Sequence, residues 1–156
     1  MIPVNSDFSD LLSAFNAEGV EYLVVGAHAL AAHGHIRATK DMDVWTRPNL
    51  DNAPRVLRAL ASFGAPLHDL SAQDLAGPGL IFQIGVPPVR IDVITSIDGV
   101  EFAAAWQDRV VGNLGGVSVP VLSRHHLIAN KKAAGRLQDL ADVEWLEKAE
   151  NSRRGQ

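Results

Sequence analysis

The chain contains no cysteine, so disulfide frameworks, thiol catalysis and cysteine-ligated zinc are all excluded. It has no apolar run approaching the ~20 residues of a membrane-spanning helix, and its N-terminus lacks the basic-then-apolar pattern of a signal peptide. A cytoplasmic protein with no membrane partner is therefore expected. Neither Gly-x-x-x-x-Gly-Lys-Ser/Thr nor Gly-x-Gly-x-x-Gly occurs, which argues against P-loop and dinucleotide-binding folds. Gly-x-Ser-x-Gly and His-Glu-x-x-His are missing too, removing support for serine hydrolysis and for a helix-borne zinc protease site. Aromatic residues are few, and Trp45, Trp106 and Trp145 have no spacing that suggests a base-stacking platform. A net charge of −4 does not suit a protein that coats DNA.

What remains is an ordinary soluble composition in 156 residues, enough for one domain with a real core. We expect a single domain over 1–156, with a core at about 20–122, C-terminal helices at about 123–149 and a disordered tail at 150–156. The basic residues Arg124, Lys131, Lys132 and Arg136 fall close together, and a solvated helix face accounts for them most simply.

The pattern alternates helices and strands. Ser6 is placed to cap a helix that buries Phe8, Leu11, Leu12 and Phe15 and closes at Gly19. Residues 21–25 read as a buried strand stopping at Gly26, 27–33 as a short alanine-rich helix, and 42–46 as a second strand. A helix over about 52–63 carries Pro54 in its first turn and turns Val56, Leu57, Leu60 and Phe63 inward. One helical turn follows Ser71, and strands at 80–85 and 89–95 form a hairpin through Val86-Pro87-Pro88. After a short helix at 101–108, residues 109–112 and 117–122 pair across 113–116. Ser123 then caps a helix to about Ala134, and the last helix turns Leu140, Val143 and Leu146 inward. The fold class is α+β (α/β), a mixed β-sheet flanked by helices.

Three acids carry the chemistry. Asp41 and Asp43 stand on one face of a strand, because residues i and i+2 point the same way. Asp92 interrupts the apolar strand Val89-Arg90-Ile91-Asp92-Val93-Ile94, where Asp is disfavoured and a charge needs a partner or an ion. With no obvious cation beside each acid, magnesium is the expected counter-charge, since it takes carboxylate and phosphate oxygens. Two such ions about 3.5–4 Å apart can clamp a phosphoryl transfer. Gly26-Ala27 supplies the other half, a strand-to-helix turn whose free amides can seat a triphosphate. His28 and His33 fall on different helix faces, which argues against a zinc pair. His125 and His126 read as surface residues.

Gly26-Ala27, thirteen residues, Asp41-x-Asp43 and the later Asp92 resemble the polymerase-β-type nucleotidyltransferase superfamily. More narrowly, Val24-Val25-Gly26-Ala27-His28 with Arg37-x-Thr39-Lys40-Asp41-Met42-Asp43 is similar to small prokaryotic AbiEii-like toxins and minimal nucleotidyltransferases. Leu127-Ile128 through Lys131, with Arg136-x-x-Asp139-x-x-Asp142, resembles a later block of those proteins. The resemblance implies that Asp41, Asp43 and Asp92 are catalytic and hold Mg2+, two ions with nucleoside triphosphate bound, or Mn2+. It implies a nucleotide-binding role for Gly26, Ala27, His28, Lys40, Lys131 and Arg136, with Arg37, Thr39, Asp139 and Asp142 around them. ATP is the default donor. The acceptor is a hydroxyl on RNA or protein, with a cognate toxin or antitoxin as partner and a homodimer as the assembly. Ala27 departs from the usual Gly or Ser, and the larger helical C-terminal domain of many toxin members is missing. Both leave room for a catalytically silent binding module or a small-molecule (antibiotic) nucleotidyltransferase.

Overall fold

Six strands build one mixed sheet in the order β3-β4-β2-β1-β6-β5. The structure is a computed structural model that describes residues 5–36, 41–86 and 89–154. The expected 87–88 turn and the residues 37–40 lie outside that range.

Helix α1 (Ser6–Ala17) starts one residue earlier than the sequence reading placed it. Asn5, not Ser6, is the cap, its side-chain oxygen accepting from the Asp7 amide at 2.8 Å. Phe8, Leu11, Leu12 and Phe15 are buried as expected. Strand β1 (Tyr22–Val25) feeds α2 (Gly26–Ala32), and β2 (Asp41–Thr46) returns antiparallel beside β1. Helix α3 (Ala53–Phe63) packs on α1 and ends at Gly64 in the left-handed conformation. The short α4 (Ala72–Ala76) is set by a capping box between Ser71 and Asp74.

Strands β3 (Ile81–Val86) and β4 (Val89–Ile94) pair antiparallel, and β4 then pairs parallel with β2. Helix α5 (Phe102–Gln107) follows, then β5 (Val110–Leu114) and β6 (Val117–Val121). The last two pair with Leu114 opposite Val117, so the turn between them narrows to Gly115-Gly116, both at positive φ.

The sheet has two unlike faces. Met42 and Val44 of β2 and Ile91 and Val93 of β4 are buried in the core, as are Tyr22 and Val24 of β1. Phe15 of α1 meets Tyr22 edge-on at 5.1 Å. The alternate residues Asp41, Asp43, Arg90 and Asp92 are only half-buried. Period-two alternation therefore gives an apolar side to helices and a polar side to solvent. Trp45 continues the polar row but is covered by Phe102 of α5, ring centroids 4.9 Å apart.

The C-terminal pair α6 (Arg124–Ala134) and α7 (Leu137–Arg154) pack on one another. Arg124 donates to the carbonyls of His33 and Leu146, joining α6, α7 and the end of α2. The Trp145 indole stacks on His35 at 4.4 Å. Gly99 lets the turn after β4 approach α6, where a Cβ would come within 2.6 Å of Ala133 Cβ. Two expectations change here. Leu140 is 48% exposed, while Val143 and Leu146 are buried, so the inward face of α7 is narrower than its periodicity suggested. The helix also runs on to Arg154, past its expected end near 149. Among the described residues, no helix is long and apolar enough to cross a membrane.

Candidate functional site

The parallel pairing of β2 with β4 sets Asp41 opposite Arg90 and Asp43 opposite Asp92. Four charged side chains thus form a two-by-two square on the polar face. The Asp43 and Asp92 carboxyls lie within hydrogen-bonding reach of each other. Burial first, then the charges of Asp92 and Asp41, push the Asp43 carboxyl up from 3.8 to about 6, with Arg90 pulling the other way.

Arg90 corrects one step of the sequence reading, which saw no cation beside these acids. Its Nη2 lies 3.3 Å from Asp41 Oδ2 and 3.4 Å from Asp92 Oδ2. Its Nε and Asp92 Oδ1 approach to 3.1 Å, an ion pair without hydrogen-bond alignment. Arg90-x-Asp92 held the signal, because residues two apart on a strand share a face. Gln83 was also missed. It stands opposite Asp92 on β3, is exposed, and belongs to the same row.

Gly26 closes the other side. It follows Val25, the β1 partner of Asp43, and has φ +67. A Cβ there would come within 2.5 Å of Asp43 Oδ2, so the backbone can approach the carboxylate only without a side chain. Ala27 is half-buried at the start of α2. That helix has seven residues, so any phosphate seat depends on local amides rather than on a long dipole. His28 turns inward, 5% exposed and edge-on to Phe8 at 5.5 Å, and burial holds its imidazole below its ordinary range. It also meets the backbone of Asp41, so it buttresses the start of β2. Arg37, Thr39 and Lys40 lie outside the described residues.

The later block divides in two. Lys131 is buried, its Nζ 2.9 Å from Asp142 Oδ2 and 3.5 Å from Asp139 Oδ1, which ties α6 to α7. Arg136 is different. It bonds Asp139 through Nε at 2.6 Å yet its side chain stays 79% exposed, and Asp98 and Asp43 both contribute to holding its guanidinium charged. The Asp139 hydrogen bond is the largest cause of that rise. Asp139 itself is pushed up by burial but held below its usual range by Arg136 and Lys131 together. Of the residues proposed from the later block, Arg136 keeps an exposed guanidinium bonded to Asp139, and Lys131 is engaged in structure.

A second cluster lies elsewhere. His125 Nε2 is 3.2 Å and His126 Nδ1 3.9 Å from Asp108 Oδ2, and Ser123 Oγ bonds both imidazoles instead of capping α6. Among the described residues, this is the group of three whose ligand atoms all lie within 4.8 Å of one another. The three aspartates do not close that far, and Arg90 stands between two of them.

No family model matches the sequence, and no curated protein is similar to it by sequence. Solved structures do match across nearly the whole chain. The lincosamide antibiotic adenylyltransferase LnuA, lincomycin-bound, superposes with a TM-score of 0.59 at 12% identity, over 94% of this chain and 98% of that one. ANT(2″)-Ia in complex with adenylyl-2″-tobramycin gives 0.61 at 17% identity, over 96% and 94%. An antigenic nucleotidyltransferase-like protein from Paracoccidioides brasiliensis gives 0.52 at 15% identity, over 93% and 78%. The chain has the nucleotidyltransferase fold.

Proposed function

We propose that this chain is a divalent-metal-dependent nucleotidyltransferase. It moves a nucleoside monophosphate from a triphosphate, ATP by default, to an acceptor hydroxyl and releases pyrophosphate. The observation that carries this is the placement of Asp41, Asp43 and Asp92 on one sheet face beside the Cβ-free backbone of Gly26. A site in which burial, and then the charges of Asp92 and Asp41, raise one carboxyl to about 6 is electrostatically suited to divalent cations. Bound at Asp41, Asp43 and Asp92, Mg2+ or Mn2+ would supply charge neutralisation on the transferring phosphoryl group.

The protein's own part is positioning. Gly26 and the Ala27 amide admit the phosphates close to the backbone. Arg136 offers an exposed guanidinium for the phosphates. The bond between the α-phosphorus and its bridging oxygen breaks as the acceptor oxygen bonds to phosphorus. Asp92 takes the acceptor's proton, the role its place in the family pattern gives it.

For the acceptor, a protein is favoured over RNA, in keeping with a toxin–antitoxin pair in which this chain modifies its partner. Among the described residues, the basic cluster is largely neutralised: Lys131, Lys132 and Arg136 are each paired with acids, and Arg124 with carbonyls. A small-molecule acceptor is the second reading. It draws on the likeness to two antibiotic-modifying enzymes and on a cavity of about 330 Å³ lined by Trp45, Arg47, Thr95, Ser96 and Phe102, near the far ends of β2 and β4. Incubation with Mg2+ and α-labelled triphosphates, offering co-purifying proteins, total RNA and hydroxylated antibiotics in parallel, tests the proposal. Label transfer lost in Asp43→Asn is expected; transfer that persists in that variant rules the mechanism out.

A further inference from the structure

The cation that already sits in the acid square is Arg90. Its guanidinium touches Asp41 and Asp92 at 3.1–3.4 Å through two nitrogens. The side chain comes from β4 itself, two residues before Asp92, and is 30% exposed, so its guanidinium has solvent to turn into. A divalent ion held by oxygens at about 2.0–2.1 Å needs the space and the lone pairs that Arg90 now uses. One position cannot hold both charges.

We propose that Arg90 is the built-in counter-ion of the metal site: it competes with the divalent ion for Asp41 and Asp92, and must swing off them when the ion enters. This rests on the nucleotidyltransferase reading and deepens it. Such a device offsets part of the repulsion among three half-buried acids. It also makes metal affinity low until a nucleotide arrives, because the released guanidinium then has a polyphosphate to pair with. Arg90 is a positioning residue here, acting on the ligands rather than on the reacting atoms.

The test is Mn2+ binding without nucleotide, followed by the electron paramagnetic resonance signal of the free ion, at fixed ionic strength. Arg90→Met should bind Mn2+ more tightly than the unaltered protein, on the order of tenfold, the modest value expected for one unit charge a few ångströms away in a partly screened site. Arg90→Lys should fall between the two, since a lysine retains the charge but not the two-nitrogen bridge. Adding Asp43→Asn to Arg90→Met should remove the gain. A role in folding alone would weaken binding or leave it unchanged, never tighten it. Should Arg90→Met not fold, Mg2+ titration of the unaltered protein, following the Arg90 side-chain Nε–H resonance assigned from the Arg90→Lys spectrum, gives the same answer. Movement of that resonance with Mg2+ supports the proposal, and a resonance that stays fixed while the metal binds overturns it. Binding by the unaltered protein that Arg90→Met fails to tighten overturns this inference alone. Absence of Mn2+ binding in every form, with or without ATP, overturns it together with the nucleotidyltransferase reading.

Discussion

Asp43→Asn should stabilise the metal-free protein at neutral pH. The Asp43 carboxyl is raised from 3.8 to about 6, mainly by burial and then by Asp92 and Asp41. Below pH 4 it is protonated in both folded and unfolded chains and costs nothing. Between about 4 and 6 the folded chain keeps a proton that the unfolded chain has lost, so stability falls as pH rises. Above about 6 the full penalty applies. The interval from 3.8 to about 6 corresponds to about 3 kcal/mol as a ceiling, which solvent screening at a half-buried strand position reduces to about 1–2 kcal/mol. For a chain of this length that is about 3–6 °C in Tm. Scanning calorimetry of both proteins in EDTA should show Tm curves that coincide near pH 4 and separate to that extent above pH 7. The difference between the two proteins cancels the titration of other groups to first order. With Mg2+ and ATP the order should reverse, since binding to the folded state stabilises the unaltered protein alone. An Asn variant less stable by the same amount at every pH would refute the reasoning, because Asp43 would then be held by favourable contacts rather than strained by like charges.

Gly26→Ala should lose measurable transfer and about 1–2 kcal/mol of stability, because its Cβ meets Asp43 Oδ2 at 2.5 Å and φ is +67; urea unfolding and labelled-nucleotide transfer read both. Lys131→Met should cost about 3–5 kcal/mol by taking the Lys131 cation from buried Asp142 and leaving Asp139 to Arg136 alone, and adding Asp142→Asn should recover part of it. A Lys131 variant of normal stability but weak nucleotide affinity would instead give Lys131 a phosphate role. Arg136→Gln should keep most of the Tm, as its side chain is 79% exposed, while weakening ATP binding about tenfold by calorimetry.

The sheet was legible because its alternation is strict. Asp41-Met42-Asp43-Val44 and Arg90-Ile91-Asp92-Val93 each sort charged from apolar residues, and that sorting put Asp41 and Asp43 on one face of their strand before any pairing was known. What could not be read was which strands neighbour which. The parallel register that sets Arg90 opposite Asp41 is a tertiary fact, so its bridge to Asp41 could not be read. The α1 cap shifted from Ser6 to Asn5 because both residue types cap well and only geometry separates them. Leu140 looked inward by periodicity yet is half exposed, since the face that α7 turns to its neighbours carries Asp139, Asp142, Val143 and Leu146. Lys131 followed its family motif into a phosphate role by resemblance, whereas its burial between two acids depends on how α6 meets α7.

The account depends most on where a divalent ion goes. Crystals grown with Mn2+ and a non-hydrolysable ATP analogue, with anomalous difference maps at the manganese edge, decide it directly. The predicted result is manganese among Asp41, Asp43 and Asp92, with the polyphosphate against Gly26 and Arg90 turned away. Manganese only at Asp108, His125 and His126, with the aspartates still bridged by Arg90, would contradict it.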